Sequence, residues 1–204
     1  AENRETTLLP YSTAGVAGAR IVSDDGMYPD LTARYAWKGK WGHFAVAGLL
    51  RELTHETSTI DDATWSGALS LSGKFNFGKD DIRWMALYGN LGRYVGLNFA
   101  NDALLDPDGE IDALDGFAGF VAYRHMWTDK LRSTFSYAMQ SYDYDSILSD
   151  STALSESSSW TVNLFYSPFP KLDIGAEYRD AQAERENGDD GDLNRFQLTT
   201  KYSF

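Results

Sequence analysis

Apolar and polar residues alternate along most of this chain with a period of two. The clearest run is ATWSGALSLSGKFNF at 63–77. Ala63, Trp65, Gly67, Leu69, Leu71, Gly73, Phe75 and Phe77 share one face; Thr64, Ser66, Ala68, Ser70, Ser72, Lys74 and Asn76 share the other. A helix would scatter both sets round its circumference, whereas a strand separates them. The last run, LNRFQLTTKYSF at 193–204, sets Phe196, Leu198, Thr200, Tyr202 and Phe204 against Arg195, Gln197, Thr199, Lys201 and Ser203. Further strands are expected at 31–38, 43–53, 81–94, 116–127, 131–142, 159–167 and 171–182, with a poorer one at 3–9. That makes about ten strands of the length a tilted membrane strand needs. Pro10, Pro29, Pro107, Pro168 and Pro170 all fall between these runs, as paired strands require.

The connections alternate in length. Short turns are expected at 39–42, 78–80, 128–130 and 168–170, and long loops at 10–30, 54–62, 95–115, 143–158 and 183–192. Short turns on one side and long loops on the other are the habit of membrane barrels. Trp37, Trp41, Trp84, Trp127, Phe169, Tyr202 and Phe204 gather near the turn ends, where aromatic rings suit the headgroup boundary. A soluble β-sandwich would also use Trp and Tyr, but it would not alternate its loops so regularly. The expected fold is all-β: an antiparallel transmembrane β-barrel, with 1–204 a single barrel domain or the carboxy-terminal portion of one.

Composition changes this picture little. No run of about 18 apolar residues exists, so a transmembrane helix is excluded. A mean hydropathy of −0.40 still suits a barrel, because its strands alternate lipid-facing and lumen-facing residues. The absence of cysteine excludes disulfides and thiolate chemistry. A net charge of −12 without any basic run argues against a nucleic-acid partner.

Charge becomes informative once faces are assigned. If the apolar set meets lipid, the inward set carries Arg34, Lys38, Arg51, Lys74, Arg83, Arg124, Arg132, Arg179, Arg195 and Lys201. Inward strand acids are few, chiefly Asp173 and Glu177. Most acids fall in the long loops, as at Asp24, Asp25, Asp61, Asp62, 102–115 and 184–192. A ladder of fixed positive charge in a low-dielectric wall concentrates anions. The expectation is a water-filled pore preferring small anionic solutes, with Arg34, Arg124, Arg132 and Arg179 foremost. Pairing of these arginines with loop acids is the plainer alternative.

Other chemistry is sparse. DPDGEID offers Asp106, Asp108, Glu110 and Asp112 as a calcium candidate, without the terminal Glu of an EF-hand. Otherwise no cofactor is expected. His43, His55 and His125 are dispersed, and no nucleophile elbow G-x-S-x-G occurs. Two readings of other classes stay open: an omptin-like barrel enzyme using His55 with Asp61 and Asp62 at the rim, and a non-conducting structural or adhesive barrel.

The stretches PDLTARYAWKGKWGHFAVAGLLREL (29–53), LGRYVGLNFANDALLDPDGEIDALDGFAGFVAYRHMWTDKLRSTFSYA (91–138) and TTKYSF (199–204), with ENRETT (2–7), resemble the DcaP-like porins. The resemblance runs over nearly the whole chain. It implies a trimeric channel of the bacterial outer membrane for dicarboxylates and aromatic acids, set among lipid and lipopolysaccharide. It also implies sixteen strands after a periplasmic coiled coil. About ten strands and no heptad region make this chain the carboxy-terminal part of such a barrel, or a shortened relative. Phe204 and Tyr202 resemble the carboxy-terminal signal read by outer-membrane assembly machinery, and loop 95–115 is a candidate constriction.

Overall fold

A computed structural model of the chain describes residues 5–25, 27–57, 61–90, 101–144 and 152–203. Nine of the expected runs form one antiparallel sheet. Its strands are β3 (Leu31–Gly39), β4 (Gly42–Glu56), β5 (Asp61–Phe77), β6 (Asp80–Gly89), β9 (Gly116–Met126), β10 (Leu131–Tyr142), β11 (Leu154–Phe169), β12 (Leu172–Arg185) and β13 (Asp190–Tyr202). Each pairs with its sequence neighbour, and β6 pairs with β9, giving the order β13-β12-β11-β10-β9-β6-β5-β4-β3. The sheet is open: β3 and β13 do not pair with each other.

The register fixes the faces. Directly opposed residues on antiparallel strands lie on the same side. Trp37 opposes Phe44, Leu71 opposes Val46, Gly73 opposes Trp84, Phe135 opposes Tyr123 and Val162, and Tyr178 opposes Phe196. One face is therefore apolar through the middle of the nine strands, with its polar residues toward the strand ends. Its large side chains are uncovered: Tyr35, Trp65, Leu69, Phe135, Val162, Leu164, Tyr166, Phe196 and Leu198 are all exposed. Soluble monomers rarely show apolar patches beyond a few hundred Å². A face of this extent has lipid as its natural surroundings.

The short turns fall where the alternation breaks. Residues 40–41 join β3 to β4 and 78–79 join β5 to β6, while 127–130 and 170–171 serve the later pairs. Gly42 has φ 132°, and a Cβ there would lie 1.8 Å from the Lys74 carbonyl oxygen, so only glycine lets β4 start this close to β5. Two expected long loops are shorter than the sequence suggests. Glu56 opposes Asp61 and Glu184 opposes Asp190, so the strands continue through most of 54–62 and 183–192. Both faces are polar there, which hides the alternation. β5 has 17 residues and β11 has 16, whereas about 9–11 suffice to cross a bilayer, so these strands project beyond it at the long-loop end.

The tenth expected strand belongs elsewhere. β1 (Glu5–Pro10) joins β2 (Ile21–Asp25), β7 (Ala103–Leu105) and β8 (Ile111–Ala113) in a small sheet of order β2-β1-β7-β8, with β1 and β7 parallel. The regions 10–30 and 95–115, expected as loops, thus contain strands. Three-residue strands are too short to show a period. This sheet packs on the polar face of β4 and β5, and there the wall turns apolar to receive it. Leu53 packs with Leu8, Ala103, Leu105 and Ile111; Leu87, Ala118 and Tyr142 pack with Leu9, Leu104 and Leu114.

Candidate functional site

The polar face of the large sheet gathers the cations expected to face inward. Arg34 opposes Ala47, Arg51 opposes Ser66, Lys74 opposes Arg83, and Arg124 opposes Asp81. Arg132 opposes Met126, Arg179 opposes Arg195, and Lys201 opposes Asp173. Followed strand by strand, these pairings put Arg34, Lys38, Arg51, Lys74, Arg83, Arg124, Arg132, Arg179, Arg195 and Lys201 on one side. The same side of the strands carries four acids: Asp62, Asp81, Asp173 and Glu177.

Each acid is outnumbered or engaged. Asp81, 1% exposed, takes Arg83 Nε at 2.8 Å and Lys74 Nζ at 3.7 Å, with Arg124 Nη2 in direct contact. Asp173 meets Arg132 Nη2 at 3.2 Å and accepts the Ser167 hydroxyl at 2.5 Å. Glu177 holds Arg195 at 3.5 Å. Asp62 accepts the Ile111 N–H of the small sheet at 2.7 Å. Arg179 has the Ser159 hydroxyl at 3.1 Å and lies directly opposite Arg195. Like charges directly opposed on a sheet destabilise it, a cost that the Glu177–Arg195 contact offsets in part.

Beside Arg179 the polar face carries an apolar strip. Met85, Phe120, Ala138, Ala181 and Leu193 line an open hollow of about 590 Å³ together with Gln140, Ser157 and Ser159. Phe120 and Leu193 remain exposed there.

Arg51 departs from the expected role. It lies on the expected face but is wholly buried, with Nη1 2.7 Å from Asp102 Oδ1 and Nε 3.7 Å from Asp30. A guanidinium so enclosed cannot meet a passing solute; it fastens the small sheet to the wall. Asp102 is the hub of that junction, accepting the Thr7 N–H at 2.8 Å and the Thr7 hydroxyl at 2.6 Å. Asn90 Nδ2, just past β6, donates to the Asp102 carbonyl at 2.6 Å. Nearby, His55 Nδ1 lies 3.1 Å from the Ser23 hydroxyl and is buried.

The remaining expectations fall as follows. Asp106 accepts the Asp108 and Glu110 N–H groups at 2.9 and 2.7 Å, which makes 106–110 the turn of the β7–β8 hairpin, with Gly109 at φ 93°. Asp112 lies in β8 and is exposed. Among the described residues, no group of three or more His, Asp or Glu side chains gathers to hold a metal. His43 opposes Lys74 on the polar face, while His125 sits on the apolar face 2.8 Å from Asp80 and against Trp127. With His55 at the long-loop end, the three histidines form no common site. Tyr202 opposes Leu172 on the apolar face, and Phe204 lies outside the described residues.

The sequence reading missed Asp81 and Asp102. Asp81 was recoverable, because it shares the parity of Arg83 two residues on. Asp102 was not, since its β7 neighbours show no period.

An antiparallel sheet with a continuous apolar face, an opposite face rich in arginine and aromatic rings at its turn ends defines the wall of an outer-membrane β-barrel. The family model of the DcaP outer membrane protein matches residues 5–204, and the chain belongs to that family of the bacterial outer membrane. No curated protein matches its sequence. Among solved structures, it is similar to the crystal structure of the outer membrane channel DcaP of Acinetobacter baumannii, with a TM-score of 0.78 at 21% identity. The likeness covers 87% of this chain and 52% of that channel, so the chain spans about half its length.

Proposed function

We propose that this chain forms part of the wall of a passive outer-membrane channel, a porin that prefers small anionic solutes such as dicarboxylates and aromatic acids. The observation that carries the reading is the charge on one face: among the described residues, the expected inward cations other than buried Arg51 outnumber the strand acids there nine to four. Arg34, Arg124, Arg132 and Arg179 are the leading guides, with Arg83, Arg195, Lys74 and Lys201 beside them. Guanidinium keeps its charge at any relevant pH and offers a planar fork to a carboxylate. Several such contacts, each weak, attract an anion without holding it. The apolar strip of Met85, Phe120 and Leu193 gives the hydrocarbon body of an organic acid a surface to pass along.

Nine strands with two open edges do not close in lipid, because each unpaired backbone group there costs several kcal/mol. Further strands therefore complete the barrel around the polar face, and the small sheet narrows its opening. The reading takes in a homotrimer among outer-membrane lipid and lipopolysaccharide. Passive diffusion needs neither a resident cofactor nor a catalytic group.

In planar bilayers under a potassium chloride gradient, the full-length protein is expected to give an anion-selective reversal potential. The preference should weaken between 0.1 M and 1 M salt, as the screening length falls from about 10 Å to about 3 Å. Replacing Arg34, Arg124, Arg132 and Arg179 together by Glu should move the potential to the cation side. Cation selectivity in the unaltered protein, or no movement in the variant, would remove this reading.

A further inference from the structure

The acid that stands apart on the polar face is Asp81. Its neighbours Lys74, Arg83 and Arg124 come from three adjacent strands, β5, β6 and β9, and all converge on this one carboxylate. Asp81 is almost wholly buried, whereas the Arg83 side chain is 52% exposed. Arg124 Nε has no hydrogen-bond partner. The group carries three positive charges and one negative, a formal +2; Arg124 Nε is buried, and the half-exposed Arg83 is the part open to a solute. Register makes the arrangement rigid, since Lys74 opposes Arg83 and Asp81 opposes Arg124.

We infer that Asp81 is a specificity-determining residue: an internal carboxylate seated where Lys74, Arg83 and Arg124 would otherwise grip the carboxylate of a passing solute. The inference rests on the proposal that this face lines an anion-preferring pore. Three cations in a low-dielectric wall would bind a dicarboxylate firmly and release it slowly. A fixed carboxylate among them lowers the local potential, so that an anion is drawn in and let go. Asp81 thereby trades affinity for throughput, which is the balance conduction requires. Asp173 and Glu177 lack this position, because the contacts described for each show one close arginine rather than three converging cations.

The test is a charge series in the full-length protein, read by reversal potential and by the lifetime of current blockades from added succinate. Asp81→Asn takes the cluster from +2 to +3, and Arg124→Gln takes it to +1. One unit charge about 10 Å from the ion path in a watery pore is worth about twofold for each monovalent ion, in opposite senses for anion and cation, and so about fourfold in their permeability ratio. Asp81→Asn is therefore expected to raise anion over cation permeability about fourfold and to lengthen succinate blockades. Asp81→Glu should keep both values of the unaltered protein, and Arg124→Gln should lower the preference about fourfold. If Asp81→Asn does not insert, Arg124→Gln carries the test. An anion-selective protein whose selectivity and blockades do not follow this series overturns the inference alone. A cation-selective unaltered protein overturns the reading beneath it, and the inference with it.

Discussion

Arginine in place of Leu164 is expected to cost the folded wall about 2–4 kcal/mol, the penalty for a cation on the lipid face near the bilayer midplane. Leu164 lies on the apolar face of β11, opposite Ser133 and Ala176 and flanked on its own strand by Val162 and Tyr166. It is 48% exposed, so its environment is whatever touches the sheet from outside. It falls about midway between Trp160 and Phe169, which mark the two boundaries of the apolar band on this strand. A guanidinium there must snorkel along the strand or draw water into the lipid. Asn163→Arg, one residue earlier, turns to the polar face and gives up only the hydrogen bond that Asn163 Oδ1 accepts from the Thr134 N–H, so it should lose about 1 kcal/mol. Urea unfolding of both variants in phospholipid vesicles checks the pair. Equal losses at 163 and 164 would deny that the two faces meet different media.

The second large effect is expected at Arg51. Truncation to Ala removes the partner of Asp102, which is fully buried, and breaking a buried ion pair from one side costs about 3–5 kcal/mol. The loss should fall first on the small sheet, because Asp102 ties β1, β4 and the end of β6 together through Thr7, Arg51 and Asn90. Arg51→Ala should therefore lower the unfolding midpoint and open residues 101–114 to protease in the inserted protein. Arg51→Met with Asp102→Leu removes that pair and keeps apolar volume, but it also takes the guanidinium from buried Asp30 and the carboxylate from the Thr7 donors, so it should recover only part of the loss. Wild-type stability in Arg51→Ala would show that the junction rests on its apolar contacts alone.

These two residues also mark how far the sequence could be read. Leu164 announces its surroundings through its neighbours: Val162 and Tyr166 repeat its character at a spacing of two, and Asn163 and Phe165 stand on the other side. Wherever one face met lipid and the other did not, that contrast was legible, and nine strands and the faces of their residues followed from it. The contrast fades where strands rise beyond the apolar band, as at Glu56, Asp61, Glu184 and Asp190, so those strand ends looked like loops. Arg51 shows the other failure. Its parity put it on the correct face, but parity says nothing of what lies against that face. The sheet that buries Arg51 is built from β1, β2, β7 and β8, and its parallel β1–β7 pair joins residues about 95 apart. Contacts of that range leave no periodic trace. Asp81 lies between these cases: its face was readable, but the convergence of three cations on it needed the register of three strands.

The central claim is that one face of this sheet meets lipid and the other meets water, and β11 tests it most directly. Residues 1–204 have no cysteine, so single cysteines placed at each position from 159 to 166 meet no background from this part of the protein, and any cysteine elsewhere is first replaced by serine. The full-length protein in vesicles is then exposed to a membrane-impermeant thiol reagent. Cysteines at Ser159, Thr161, Asn163 and Phe165 are expected to react, and those at Trp160, Val162, Leu164 and Tyr166 to stay protected. Uniform labelling along the strand, or protection of the odd positions instead of the even ones, would contradict the account.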